Sequence, residues 1–264
     1  MELERRRSRR SVGELTSTAP SYMLSPRHGP GVCRECFNFT RGYDRCYACA
    51  AGEQRLDLVV PISYSVAHEE LHRALANYKR TTGVVADRAT LELTAVLWRF
   101  LSGHEQCVAA AVGVPAFDLV TTVPSSDRAR DEHHQLRRIV GELAAPTRDR
   151  HVRLLRRTLV PAAPRSFQPD RFHASRRLEG ASVLLIDDTW TTGASSQSAA
   201  AALKASGAGV VAAVVIGRHL NREWHENDRR LRGITQPFDW STCPLCAPVA
   251  GTRYEESVSL DRAA

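Results

Sequence analysis

The sequence predicts an α/β protein built on a parallel sheet, and two strand–loop–helix units carry this prediction. In one unit, the apolar run Val183 to Ile186 leads through a loop and a helical stretch to a second apolar run, Val210 to Ile216. Continuous apolar runs of this length are typical of strands buried on both faces, and a helix between them makes a parallel crossover connection. In the other unit, the apolar run Phe117 to Val123 precedes a second helical stretch.

Composition limits the class of protein. At 264 residues the chain can hold one α/β domain with appendages, and 43% hydrophobic residues are enough for a core. No apolar run reaches the roughly 18 residues of a membrane span, and the N-terminus lacks the apolar segment of a secretion signal. We therefore expect a cytoplasmic protein with no membrane partner. The formal net charge of +7 favours anionic ligands.

The chain divides into four predicted parts. Residues 1–30, rich in Arg, Ser and Pro, are expected to be a disordered basic arm. Residues 31–52 form a cysteine-rich element, 53–240 the main α/β domain, and 241–264 a tail. Hydrophobic periodicity predicts the remaining elements in chain order: a strand at Leu58 to Ser65, helices at Ala67 to Arg80, Arg88 to Ala111 and Arg128 to Leu143, a short strand at Val152 to Leu155, and a helix at Ser195 to Ser206.

Six of the seven cysteines form three Cys-x-x-Cys pairs: Cys33/Cys36, Cys46/Cys49 and Cys243/Cys246. Nine residues separate the first two pairs, which favours a structural Zn²⁺ site with four thiolates over the redox role that a single pair could have. The third pair has three alternatives: it replaces one N-terminal pair in the zinc site, it pairs with another chain, or it holds nothing. Cys107, in a helical apolar stretch, is expected to be a core residue.

Polar residues follow the strand Val183 to Ile186, at the edge where α/β proteins bind ligands. Asp187 and Asp188 come first, at a position that we expect to face a solvent-filled cleft. The loop 189–194 then leads to a helix N-terminus, whose free N–H groups favour an anion. Two carboxylates for a vicinal diol and an anion site beside them suit a 5-phosphorylated ribose. The alternative is a generic turn with capping hydroxyls.

Two further segments are candidates for the same edge. Ser125 and Ser126 follow the strand Phe117 to Val123 and could present N–H and hydroxyl groups to a second anion, with Arg128 or Arg130 beside them. The alternative is an ordinary helix cap followed by a solvated basic helix. The long segment 158–180 is a candidate lid. Its arginines that could reach over a pyrophosphate are Arg165, Arg171, Arg176 and Arg177. Arg218 and His219, at the carboxyl end of another strand, are expected to border the same cleft.

The stretch of four apolar residues, Asp-Asp, two variable residues and Thr-Thr-Gly-Ala-Ser resembles the phosphoribosyl diphosphate (PRPP) loop of type I phosphoribosyltransferases. The layout over about residues 31–218 resembles the ComF-type subgroup, which includes competence protein F and gluconate-utilisation proteins. Its features occur in the expected order: a four-cysteine element, Tyr78-Lys79 at a helix end, a Val-Pro-Ser strand end and the PRPP loop. The segment RDEHHQL departs from the Arg-Gly-x-Asn-Gln that often follows the pyrophosphate loop.

The resemblance implies a five-stranded parallel sheet flanked by helices, with Asp187 and Asp188 on the ribose hydroxyls. It also implies a pyrophosphate loop of Ser125, Ser126 and Arg128. The 5-phosphate would lie on the loop and helix start, formed by Thr189, Thr191, Thr192, Gly193, Ala194 and Ser195.

These observations predict a Mg²⁺-dependent phosphoribosyltransferase that transfers the phosphoribosyl group of PRPP to a nitrogenous acceptor and releases pyrophosphate. One alternative is a sensor or an accessory of DNA uptake that binds PRPP or a nucleotide without turnover. Another is a nucleic-acid-binding module that uses the cysteine element and the basic arm. The sequence does not identify the acceptor, and it leaves a homo-oligomer open.

Overall fold

The computed structural model of the protein describes residues 10–80, 82–125, 131, 134–160, 163 and 165–247. The described strands are β1 (Leu58–Val66), β2 (Leu119–Thr122), β3 (Leu155–Arg157), β4 (Phe172–Ala174), β5 (Ser182–Trp190) and β6 (Val210–Leu220). Four of them form a parallel sheet in the order β1-β6-β5-β2, and β3 and β4 pair antiparallel beside it. The predicted α/β class with a helix-flanked parallel sheet is confirmed.

The described helices are α1 (Val12–Leu15), α2 (Tyr47–Ala51), α3 (Glu70–Arg80), α4 (Val84–Ala111), α5 (Gln135–Arg138), α6 (Ala145–Arg148), α7 (Ala194–Ala205) and α8 (Asn227–Arg232). Short 3₁₀ turns lie at Ala19–Ser21 and Pro169–Arg171, and α5 continues into a π-helical turn at Ile139–Leu143. In the part of the chain that the structure describes, no helix is long and apolar enough to cross a membrane.

The sheet buries a core on each face. On one face, the long helix α4 and its neighbour α3 cover strand residues such as Ile186 and Val214. On the other face, the alanine-rich helix α7 packs on Leu185 and Ala213. Because side chains alternate along a strand, covering both faces requires continuous apolar runs, which is the pattern that the sequence has.

The parallel sheet has four strands among the described residues, whereas the resemblance implied five. A fifth position exists only as a single bridge, where Val120 donates to Arg150 O at 3.0 Å and accepts from Val152 N at 2.9 Å. Leu154 N then donates to Val152 O at 2.8 Å, which is the three-residue turn that bends a chain sharply. This turn directs β3 away from the sheet, so the predicted strand at Val152 to Leu155 begins only at Leu155.

Residues 10–30 are packed against the domain, which corrects the expectation of a disordered arm over 1–30. Ser11 and Glu14 form a capping box at α1, and Ala19 and Met23 are buried in the core beneath α4. Leu24 O accepts a 2.9 Å hydrogen bond from Tyr64 N of β1. A few apolar residues within a polar composition are thus enough to anchor the segment. Residues 1–9, with the arginine cluster, lie outside the described residues.

The start of the predicted tail also belongs to the domain. Phe238 and Cys243 are buried in the same core as α4, and Trp240 and Leu245 pack against it. The domain therefore extends to at least residue 247, the last that the structure describes.

Candidate functional site

The two aspartates lie near the carboxyl end of β5, between β6 and β2 at the centre of the sheet edge. They do not end the strand as expected, because β5 continues to Trp190. Successive strand residues face opposite sides of a sheet. Asp187 accordingly contacts α7, and Asp188 contacts α3.

Asp188 is buried, with only 4% of its surface exposed, which corrects the expectation of a solvent-facing carboxylate. The Tyr78 hydroxyl donates a hydrogen bond to Asp188 Oδ2, and the Lys79 ammonium forms an ion pair with the same oxygen. Burial raises the pKa of Asp188 to about 7, and a hydrogen bond from the Thr189 side chain opposes that rise. The buried position therefore favours the neutral carboxyl more than water does.

Asp187 is the more accessible of the two carboxylates. Its Oδ2 accepts a 2.6 Å hydrogen bond from the Ser196 hydroxyl, and its Oδ1 accepts a 2.9 Å hydrogen bond from Asp188 N. Burial raises the pKa of Asp187, and the hydrogen bond from Ser196 opposes this. Ser196 lies one residue beyond the predicted phosphate-binding residues, and sequence reasoning did not single it out.

The loop after β5 closes tightly on Gly193, which is the N-cap residue of α7. Gly193 has φ of 82°, in the left-handed region that favours glycine, and a Cβ at this position would overlap the indole ring of Trp190. The left-handed backbone and the packing of Trp190 therefore both require glycine here, whether or not a ligand binds. A glycine N-cap has no side chain to satisfy the N–H groups of the first helical turn.

The threonines of the loop are half-buried. Thr192 donates to Arg165 O at 3.3 Å, and its hydroxyl oxygen accepts a 3.4 Å hydrogen bond from Ala194 N. Thr189 lies within β5 rather than in the loop, and Thr191 is the first residue after the strand. The predicted phosphate-binding residues Thr191 to Ser195 thus lie around the start of α7, and Thr189 lies before them in the strand.

Arg171 reaches the same helix start from the segment before β4. Its guanidinium donates to Ser195 Oγ at 2.9 Å and to Ala163 O at 3.0 Å, and only 5% of the residue is exposed. Its Nε is buried without a hydrogen-bond partner among the described residues. Gln168 N adds a 3.0 Å hydrogen bond to Ser198 Oγ of α7. Of the arginines expected to reach over a pyrophosphate, Arg171 thus lies at the start of α7.

The rest of the candidate lid 158–180 differs from the prediction. Residues 172–174 are β4, held by β3, so the segment is not one long loop. Arg176 and Arg177 lie beside Asp118 and Ala181, at the amino ends of β2 and β5. They are displaced to that end because the chain must return there to begin β5, so they cannot border the site. Residues 161, 162 and 164 lie outside the described residues.

The predicted pyrophosphate loop is described only at Ser125. Val123 N donates to Ile186 O at 3.1 Å, which brings the end of β2 to the same edge as the aspartates. Ser125 N donates to Asp131 Oδ1 at 3.1 Å, so a carboxylate already engages this amide. Asp131 is buried and pairs with Arg153 at 2.7 Å. Ser126 and Arg128 lie outside the described residues.

Arg218 is buried and does not border the cleft, contrary to expectation. Its guanidinium donates to three carbonyl oxygens: Cys36 O at 3.0 Å, Trp190 O at 3.0 Å and His219 O at 2.6 Å. Burial was not visible in the sequence, because a lone arginine after a strand gives no signal of its partners. Through these hydrogen bonds, Arg218 instead links the cysteine element to the end of β5.

The cysteine element carries four buried thiols, from Cys33, Cys36, Cys46 and Cys49, whose sulfur atoms all lie within 4.8 Å of one another. Hydrogen bonds from the neighbouring thiols, that of Cys36 first, lower the pKa of Cys33. Four thiols this close could hold a metal ion such as zinc. They pack against Trp190 and Val215, so the element supports the site from the α7 face of the sheet.

The third cysteine pair is not an alternative half of this cluster. Cys243 and Cys246 lie across the sheet, beside His104 and Cys107 of α4. Cys107 is half-buried in that second cluster, not an ordinary core residue.

No family model matches this chain, and no curated protein matches it at a significant level. The interpretation of the site therefore depends on its residues and their geometry.

Proposed function

We propose that this protein is a Mg²⁺-dependent phosphoribosyltransferase that uses PRPP. The observation that carries the proposal is one short loop with two complementary ends. Asp187 and Asp188 supply carboxylates at one end, and the start of α7, with Gly193 as its N-cap, supplies N–H donors at the other. Carboxylates accept hydrogen bonds from a diol and repel phosphate, whereas a helix N-terminus attracts phosphate.

In this proposal the 5-phosphate of PRPP binds at the start of α7, on N–H groups and the hydroxyls of Thr191, Thr192 and Ser195. Arg171 supports this assignment, because its buried Nε has no hydrogen-bond partner among the described residues and its guanidinium already reaches Ser195. A phosphate oxygen would satisfy a donor that is otherwise costly to bury.

In this proposal Asp187 accepts a hydrogen bond from one ribose hydroxyl on the α7 side, and Asp188 offers the other hydroxyl its Oδ1, the oxygen that Tyr78 and Lys79 do not engage. As the bond from ribose C1 to pyrophosphate breaks, positive charge develops on the sugar, and carboxylate charge at this edge stabilises it. The neighbouring Lys79 and Tyr78 hold the Asp188 carboxylate in one orientation. A nitrogen of the acceptor then forms the new bond to C1, and pyrophosphate leaves.

Mg²⁺ prefers hard oxygen ligands and is commonly bound through one or two carboxylates together with substrate phosphates. The donor set fits, since Asp187 offers two carboxylate oxygens, which here accept hydrogen bonds from Ser196 Oγ and Asp188 N. When bound, the ion would neutralise charge on the leaving pyrophosphate.

Two measurements test the proposal. Calorimetric titration with PRPP and Mg²⁺ should show binding that ribose 5-phosphate reproduces in part, since both share the ribose phosphate. Pyrophosphate release should then be measured with purine, pyrimidine and other nitrogenous acceptors. Absence of PRPP binding by the intact protein would refute the proposal, and the loop would be only a turn.

A second candidate function is PRPP binding without turnover, as in a sensor or an accessory of DNA uptake. It is favoured by the contact of Asp131 with Ser125 N, because that carboxylate occupies a donor that the pyrophosphate loop would need. Tight PRPP binding with no pyrophosphate release across the acceptor set would select this alternative.

We also propose that the cysteine element holds one structural Zn²⁺ through Cys33, Cys36, Cys46 and Cys49. The element has too few apolar residues to fold by itself, and metal binding supplies folding free energy in such cases. Its packing against Trp190 would then make the shape of the PRPP loop depend on the metal.

A further inference from the structure

A second cluster of metal-ligating side chains lies on the opposite face of the sheet. It consists of His104 and Cys107 on α4 and of Cys243 and Cys246 in the C-terminal segment, and its ligand atoms all lie within 4.8 Å of one another. His104 Nδ1 is 3.9 Å from Cys107 Sγ and 3.9 Å from Cys246 Sγ. The Zn–S and Zn–N distances of a tetrahedral site require sulfur and nitrogen to be about 3.5 Å apart. A contraction of a few tenths of an ångström would therefore bring these two pairs of atoms to that spacing.

The orientation of His104 matches that of a metal ligand. Its Nε2 lies 3.0 Å from Trp240 O, and because a carbonyl can only accept, Nε2 carries the proton. In the neutral ring Nδ1 then has a free lone pair, and it is this atom that faces the thiols. A backbone carbonyl that fixes the far nitrogen is the usual support of a histidine that binds a metal. The imidazole is buried, with 4% exposure.

The backbone around the cysteine pair is also arranged for thiolates. Cys243 N points to Cys246 Sγ at 3.1 Å, and Leu245 N points to Cys243 Sγ at 3.4 Å. N–H groups directed at sulfur favour its charged form, since hydrogen bonds to an ionised group stabilise it. The tight turn Cys-Pro-Leu-Cys thus presents both sulfurs towards α4.

We propose that His104, Cys107, Cys243 and Cys246 form a second structural zinc site, with one imidazole and three thiolate ligands. Three thiolates and an imidazole in one cluster are a donor set typical of Zn²⁺. A disulfide between two of the cysteines would leave one thiol and His104, which are too few ligands for a structural site. The proposal does not depend on the proposed phosphoribosyltransferase function.

Such a site would fasten the C-terminal segment to α4. His104 and Cys246 are 142 residues apart in the sequence, and a metal cross-link that closes so long a loop lowers the conformational entropy of the unfolded chain. The apolar contacts of Phe238 and Cys243 with the α4 core would then form one unit with the metal. The cluster therefore has a structural role, since three cysteine ligands and one histidine complete a tetrahedron and leave no open position for substrate.

The test is the zinc content of the full-length protein, purified under reducing conditions and dialysed against metal-free buffer. Wild type should hold two zinc ions per chain, and Cys246→Ser should hold one, because serine is a poor zinc ligand. Cys246 is exposed, so this substitution leaves the core packing unchanged. Cys246→His should restore the second ion, and Ser241→Ala, a neighbour outside the cluster, should retain both.

If a variant folds poorly, measurements on wild type alone test the second zinc site. Native mass spectrometry should show two bound zinc ions, and alkylation should modify Cys107, Cys243 and Cys246 only after a chelator is added. The proposal is overturned if Cys246→Ser retains as much zinc as wild type. It is equally overturned if wild type holds a single ion and its three cysteines react freely or are joined by a disulfide.

Discussion

Replacing Asp188 with Asn should make the protein more stable and a weaker binder of PRPP. The side chain keeps its shape and loses its charge. In the folded protein, burial raises the pKa of Asp188 from an ordinary 3.8 to about 7, which means that the ionised form is held at a cost. A carboxylate kept in such a place at the end of a strand is a candidate for function, because stability alone would favour a neutral residue.

The magnitude follows from the two pKa values. At about 1.4 kcal/mol per pH unit, the difference corresponds to roughly 4 kcal/mol, an upper bound because the variant also loses the ion pair with Lys79. The sign depends on pH. The folded state holds the Asp188 proton more tightly than the unfolded state, so its contribution to stability is complete below pH 4 and is lost as pH rises through 7. Asp188→Asn should thus match wild type below pH 4 and exceed it by a margin that grows up to about pH 7 and is largest at pH 8.

The assay is thermal unfolding of both proteins at several pH values. Each kcal/mol of stability should shift the melting temperature by about 2–4 °C. Asp187→Asn is the matched control, since Asp187 is the more accessible carboxylate and should give a smaller dependence on pH. In titrations with PRPP and Mg²⁺, Asp188→Asn should bind roughly ten- to a hundredfold more weakly, as expected for the loss of one charge-assisted hydrogen bond.

Two results would refute this reasoning. A melting temperature lowered by the same amount at pH 5 and pH 8 would show that Asp188 acts through its contacts with Tyr78 and Lys79, not through a cost of ionisation. If Asp188→Asn changes stability as expected but leaves PRPP affinity unchanged, the buried charge has no part in ligand binding.

Three further predictions concern other parts of the site. Gly193→Ala should lower the free energy of unfolding by about 1–3 kcal/mol even without ligand, because the alanine would need a left-handed backbone and its methyl group would overlap the Trp190 indole. Gly113→Ala is the control in thermal unfolding: its φ is similar, but open space surrounds it, so it should cost less. Cys33→Ser should remove one zinc ion and lower the melting temperature, and equal zinc content in variant and wild type would contradict the four-thiolate site. Trypsin should cut after the exposed Arg165 and spare the buried Arg171, and PRPP with Mg²⁺ should slow the cut at Arg165; a rate unaffected by saturating PRPP would exclude a covering role for this segment.

Local sequence patterns predicted most of the sheet. The apolar runs of β1, β5 and β6 and the crossover helix α7 were identified within a few residues, because burial on both faces favours apolar residues at successive strand positions. The paired spacing of Cys33, Cys36, Cys46 and Cys49 predicted their cluster, since neighbours in sequence supply the ligands. For the aspartate loop, the sequence predicted a strand, a loop and a helix start in that order, and Gly193 to Ser195 do lie at the start of α7.

Long-range packing decided what the sequence left open. The burial of Asp188 depends on Tyr78 and Lys79, about 110 residues earlier in the chain, and no local pattern encodes that contact. The same holds for Arg218, whose three carbonyl partners come from separate segments. The partners of a polar side chain are set by how elements pack, not by its neighbours in sequence.

The sequence by itself determined the parallel α/β core, the four-cysteine cluster and the order of residues in the aspartate loop, because each depends on spacings within one or two elements. Only the tertiary structure decided that Arg176 and Arg177 lie at the far end of the sheet and that Cys243 and Cys246 meet α4. These outcomes depend on where the chain returns after leaving the sheet. That path is set by the burial of apolar surface over the whole domain, which periodicity in a short window cannot reveal.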